Sequence, residues 1–218
     1  MQTTSNAPAK APAAARRAVF VVLWLALAAQ AVWMLLQHFH LREPWGSMWY
    51  PLTFAAPSLL LALTGGRVRW VSAMLRLPVA VAFLDAVADR LGLFGPHGTP
   101  GVSWGDFAHF IAYTAQVNSF LPSAAIPALA VLATICETLF GFALLLGVRI
   151  SLTAMASAAL LFLFGTAMTI SGFSQFAYGV YLMAAGAMTL STVDASLLSV
   201  DAVLSWRKKR ECRTEAGC

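Results

Sequence analysis

Four stretches of this chain, residues 18–36, 124–147, 150–170 and 176–193, are almost unbroken apolar sequence. A helix needs about 20 such residues to cross the ~30 Å hydrocarbon layer of a bilayer. In lipid the backbone must satisfy its own hydrogen bonds, and a run of this length does so as a helix. These runs dictate an all-α membrane protein. Composition agrees. Of 218 residues, 60% are hydrophobic and only 11% charged, where soluble domains carry about 25% charged residues. The chain lacks the polar side chains to cover its core against water, which excludes a soluble enzyme and a disordered chain. Three cysteines (Cys136, Cys212, Cys218) are too few and too scattered for a disulfide framework.

Two further stretches are weaker. Residues 48–64 are short and contain Pro51 and Pro57, while residues 70–93 include Arg76, Pro78, Asp85, Asp89 and Arg90. The sorting of positive charge argues that both cross. With six spans and both termini cytoplasmic, 11 of the 14 Lys and Arg fall on the cytoplasmic side: Lys10, Arg16, Arg17, Arg67, Arg69, Arg149, Arg207, Lys208, Lys209, Arg210 and Arg213. Arg42 and Arg90 fall on the outer side, and Arg76 reaches the inner interface by snorkelling. Ala29-Gln30-Ala31 would suit a signal-peptide cleavage site, but apolar sequence runs on through Leu36, so the first span is expected to be an uncleaved anchor. The expected organisation is a disordered basic tail over 1–17, a two-span extension over 18–69, a four-helix membrane domain over 70–200 and a basic cytoplasmic tail over 201–218.

One extramembrane segment carries a pattern. Residues 92–122 open with Gly and Pro turns, and Ser103-Trp104-Gly105-Asp106 then has the spacing of a capping box. Phe107, Phe110, Ile111, Val117 and Leu121 follow at roughly helical spacing, with His109, Tyr113 and Gln116 on the opposite face. An amphipathic helix on the outer surface is expected. Either it simply seals the bundle, or it is the lid of a site.

Ionisable residues inside a membrane are costly and mark function by default. Glu137 lies near the middle of its span, where a carboxylate could relay protons or contact a polar head group; the bland alternative is a group that fixes helix packing. Asp85 and Asp89 share a helix face four residues apart. Asp89 and Arg90, a turn from the interface, are expected to form a hydrated ion pair, and Asp85 needs a partner such as Arg90 or a group on the Glu137 helix. Asp85, Arg90 and Glu137 are thus candidates to line a polar cleft, with His109 and Tyr113 as its lid. Cys136 points about 100° away from Glu137 and reads as a small hydrophobe. The four His (His38, His40, His97, His109) lie in expected outer loops, so no metal ligand set and no haem-ligating His within a span is identified. Nucleic acid is not an expected partner.

From Arg76 to Thr192 the chain resembles the DoxX family of small bacterial membrane proteins. The resemblance rests on Leu75-Arg76-Leu77 and Asp89-Arg90-Leu91-Gly92 at the two ends of one helix, and on Phe107, Phe110 and Tyr113 after the Gly/Pro-rich loop. It rests further on Ala133-Thr134-Ile135-Cys136-Glu137-Thr138-Leu139-Phe140-Gly141 and Leu144-Leu145-Leu146-Gly147-Val148-Arg149. It implies a four-helix membrane bundle, which makes 70–93 a span and leaves 1–69 outside the pattern. It also implies an association with thiosulfate:quinone oxidoreductase and other membrane oxidoreductases. Asp89 and Arg90 stand where the family often has Gly and Lys.

The leading expectation is a bacterial inner-membrane subunit supporting electron transfer to quinone, by binding quinone or an oxidoreductase partner, rather than a self-sufficient redox enzyme. Its other partners would be the lipid bilayer and, as a homo-oligomer, its own copies. A non-enzymatic assembly or scaffold protein is the second reading, and a small proton-coupled transporter the third; no internal repeat of the kind many transporters carry stands out.

Overall fold

A computed structural model describes residues 12–42 and 49–215. The parts of the sequence reading that fall on residues 1–11, 43–48 and 216–218, including most of the expected N-terminal tail, lie outside the described residues. The described chain is all-helical. Four helical stretches are long and apolar enough to cross a membrane: Ala13–Phe39 (α1), Arg69–Arg90 (α3), Ser123–Leu146 (a 3-10 turn, Ser123–Ala125, leading into α5, Ile126–Leu146) and Ile150–Ile170 (α6). Two shorter apolar helices, α2 (Trp49–Thr64) and α7 (Ser174–Leu190), pack among them. Outside these lie α4 (Phe107–Val117) and α8 (Val200–Glu215).

The six apolar helices run alternately up and down. Arg16 at the start of α1 donates to the Gly65 carbonyl just past α2, and Arg69 at the start of α3 meets Asp194 just past α7. One end of the bundle therefore carries α8 (the tail end) and the other carries α4 (the lid end). Small residues let the helices close up, since lipid supplies little hydrophobic drive between them. A Cβ on Gly141 would stand 2.8 Å from the Leu84 side chain, and one on Gly165 2.8 Å from the Tyr181 ring. Leu23, Leu61, Leu75, Val79, Leu144, Leu182 and Leu190 fill the interior. Leu25, Leu132, Phe162 and Leu163 point outward with more than half of their surface uncovered, as a lipid-facing wall requires.

Helix ends differ from the apolar runs where propensity and caps, rather than hydropathy, decide. α1 begins at Ala13, so residues 13–17 are helical and not tail: Ala and Arg are strong helix formers and continue the turn into polar surroundings. α3 stops at Arg90 because Leu91 and Gly92 (φ +76°) turn the chain. The expected C-terminal tail is a helix from Val200 to Glu215. Asp201 fixes its first turn, its carboxylate accepting the N–H groups of Arg149 (3.0 Å) and Ile150 (3.1 Å) at the start of α6.

Candidate functional site

The polar residues meet at the lid end, around the last residue of α3. Arg90 is almost completely enclosed, 1% of its surface exposed. Its Nε donates to the Ala86 carbonyl (2.9 Å) and its Nη1 to Thr134 Oγ1 (2.9 Å), while Nη2 lies 2.6 Å from Oε2 of Glu137. That last approach is not aligned as a hydrogen bond, so charge closes the pair and Glu137 Oε2 has no aligned donor among the described residues. Thr134 and Glu137 stand three apart on α5 and present one face, which lets a single guanidinium engage both. The roof is aromatic: the guanidinium carbon lies 3.6 Å from the Phe110 ring centroid and 5.2 Å from that of Trp104. Stacked this way, the cation gains from the ring faces and loses contact with water.

Asp89 builds the loop that holds this roof. Its carboxylate accepts the backbone N–H groups of Ser103 (2.8 Å), Trp104 (3.3 Å) and Gly105 (3.1 Å). Three amides converging on one carboxylate form a charge-assisted knot. Gly105 has φ +71°, and any Cβ there would run into the Pro96–His97 backbone, so only glycine fits. The expected hydrated Asp89–Arg90 pair is thus not what forms. Both side chains are buried, and adjacent residues on a helix diverge, so Asp89 turns to the loop and Arg90 to α5.

α4 then crosses the bundle end. Its cap is Asp106 and not Ser103: the Asp106 carboxylate accepts the His109 N–H at 2.9 Å, while Ser103 is spent on the knot. Hydrogen bonds from the His109 backbone and ring hold the Asp106 carboxyl below its ordinary range. Phe110, Thr114 and Val117 face inward, and Ser171 after α6 donates to the Val117 carbonyl, tying down the far end.

Of the sequence candidates, Glu137 and Arg90 come together as an ion pair. Tyr113 on α4 reaches them only through Trp104, its ring 5.5 Å from Trp104 and 6.3 Å from Phe173, and burial pushes its phenol up. His109 turns away from the pair, its Nδ1 2.8 Å from Asp106 and its ring stacked 3.9 Å from that of His97. Phe110, not His109, covers Arg90. Asp85 stands apart, exposed on the outward stripe of α3. Sequence reasoning passed over Thr134, Trp104 and the role of Asp89. Thr134 was within reach of it, three residues before Glu137 on a helix, whereas Asp89 binds backbone amides that any loop sequence supplies.

The residues thus define a helical membrane protein with a buried cation–carboxylate pair under an aromatic lid. Across protein-family models, curated proteins and solved structures, nothing matches this chain.

Proposed function

We propose that this chain is a multi-pass subunit of a bacterial inner membrane that supports electron transfer to quinone by holding the quinone head group for an oxidoreductase partner. The observation that carries this reading is the buried Arg90–Glu137 ion pair, set within the bundle under Trp104 and Phe110. A quinone head group is flat, with apolar faces and carbonyl acceptors that take up protons on reduction. The Arg90 guanidinium suits the carbonyls, Glu137 the protons, and the two rings the faces, while the Thr134 hydroxyl, which donates to the Ala130 carbonyl, holds the guanidinium in place. Electrons enter from the partner or from a reduced small molecule, and the chain acts as a DoxX-like subunit.

In this reading α2 and α7 also cross, making six spans. With 16 and 17 residues they reach about 24–26 Å, which modest bilayer thinning accommodates. Arg16, Arg67, Arg69, Arg149 and Arg207 gather at the tail end; by the positive-inside rule that end and both termini are cytoplasmic, and the lid faces outward. The DoxX-like core is then α3, α5, α6 and α7, with α1 and α2 as the extension.

The test is quinone binding to the purified protein in detergent. Saturable binding to wild type, lost in Glu137→Gln and Glu137→Ala with helicity intact, is expected; no saturable binding to wild type overturns the reading. A second reading, an assembly protein in which the pair only locks the helices, is favoured by the depth of burial, since a head group must displace Phe110 to reach side chains exposed by 1% and 7%. Under that reading Glu137→Gln keeps partner activity.

A further inference from the structure

The tail end of the bundle carries a helix that the site does not use. α8 is held there through its first turn: the Asp201 carboxylate caps α6, and the Asp201 N–H donates to the Gly147 carbonyl at 3.2 Å, in the turn between α5 and α6. Both of those helices are long and apolar enough to cross a membrane. The turn that joins them, and the start of α8 with it, therefore stands at the membrane surface. Val200, Val203 and Leu204 are three and four residues apart and share one face of α8. Leu198, just before the helix, and Val203, Leu204 and Trp206 on it each have more than half of their surface uncovered by the protein. Ser205, also exposed, falls on the opposite side of the helix from Val203.

Positive charge gathers on the same helix. Exposed Arg207 follows Trp206, and the sequence continues through Lys208, Lys209, Arg210 and Arg213. Of the acids of α8, Asp201 is spent on the α6 cap, which leaves Glu211 and Glu215 against these cations. Arg17, Arg67 and Arg149 are further exposed cations at this end. We propose that α8 docks on the bilayer surface, with Val203, Leu204 and Trp206 in the interfacial layer and the basic run against the head groups of anionic phospholipids. Two independent features select this occupant. Charge complementarity alone would suit a soluble acidic protein or a nucleic acid, but either would leave the apolar residues in water. A bilayer takes both. An amphipathic helix buries its apolar side at head-group depth, where Trp is favoured, and Lys and Arg clustered beside a span are drawn to anionic lipid. The anchored first turn makes the docking intramolecular, so a short apolar face suffices.

The experiment places single nitroxide labels on the full chain in bilayer nanodiscs, on a background of Cys136→Ala, Cys212→Ser and Cys218→Ser that keeps the wild-type helicity. In phosphatidylcholine discs containing phosphatidylglycerol, the label at Val203→Cys is expected to meet dissolved oxygen and to be shielded from an aqueous nickel chelate. The label at Ser205→Cys is expected to stay open to the chelate. Leaving out phosphatidylglycerol, or raising the salt, should move the Val203 label toward water. Lys208→Gln with Lys209→Gln and Arg210→Gln should lower the docking equilibrium in the anionic discs by roughly a hundredfold, the loss expected for three surface cations. These substitutions leave Asp201 and the bundle untouched, so helicity should not change. A Val203 label as open to the chelate as the Ser205 label in anionic discs overturns the proposal, and so does docking that is equally strong without anionic lipid. An α8 that stays in water but binds polyglutamate overturns it in favour of a soluble acidic partner. Since nothing here depends on a bound quinone, the outcome is independent of the head-group assignment.

Discussion

The two ends of α3 each bury an arginine, and they do so in opposite ways. At the lid end Arg90 meets a carboxylate, a hydroxyl, a carbonyl and two aromatic faces. At the tail end Arg76, fully buried, uses only Nη2, which donates at 3.0 Å to each of the Leu197 and Leu198 carbonyls; its Nε and Nη1 have no partner among the described residues. Asp201 acts on it only through space, since its oxygens cap α6. The difference separates a charge matched by a counter-charge under an aromatic roof from a charge used as a clamp. Arg76 pins the connection between α7 and α8, where Leu198 is held at φ +53°, and Gly147 must lack a side chain to leave the guanidinium room. Arg90 holds a neighbouring carboxylate 2.6 Å away.

The comparison breaks most sharply at Glu137. Glu137→Ala leaves Arg90 buried without its counter-charge, and thermal unfolding in detergent should show a loss of about 3–5 kcal/mol. Replacing both partners, Arg90→Met with Glu137→Leu, should recover most of that loss, because desolvating the pair offsets much of its attraction. Next comes the knot. Asp89→Ala strands three loop amides, and a cost of about 1.5–3 kcal/mol is expected, with hydrogen exchange faster at residues 103–105 than in the spans. Arg76→Leu frees two partly buried carbonyls and should cost about 1 kcal/mol. Its mark is local: faster exchange and proteolysis over 191–199, with the lid unchanged.

The smallest effect concerns the α4 cap. The Asp106 carboxyl is lowered in the folded protein, so the ionised cap stabilises α4 above the unfolded value of ~3.9 and loses that contribution as pH falls through the lower folded value. Protection of the His109 amide, its exchange rate relative to that of an unstructured amide at the same pH, should be constant from neutral pH down to that window and then fall in acid; Asp106→Asn should remove most of that fall while keeping a cap.

The apolar runs made the spans legible because twenty residues facing lipid leave no other composition. Residues 150–170 coincide with α6 for that reason. α8 carried no such signal: its residues are largely polar, and what fixes its start is the Asp201 cap on another helix. Glu137 stood out as a carboxylate in an apolar run, and Arg90 was grouped with it in one cleft, but not as its direct partner. Arg90 looked like an interface residue by its place at a helix end. It is buried only because a loop tied to Asp89 carries Trp104, and Phe110 of the following helix, over it. That closure depends on contacts distant in sequence, which periodicity does not report. Asp85 was drawn toward the cleft by its spacing from Asp89, yet a four-residue step is slightly more than one turn, and the bundle seam falls between the two.

The most direct test of the central claim, that the Arg90–Glu137 pair serves a ligand and not only the fold, is quinone binding to the folded Arg90→Met/Glu137→Leu protein. The account predicts a stable, helical protein that no longer binds quinone saturably. A stable double variant that binds quinone as wild type does would contradict it and leave the pair as a structural lock.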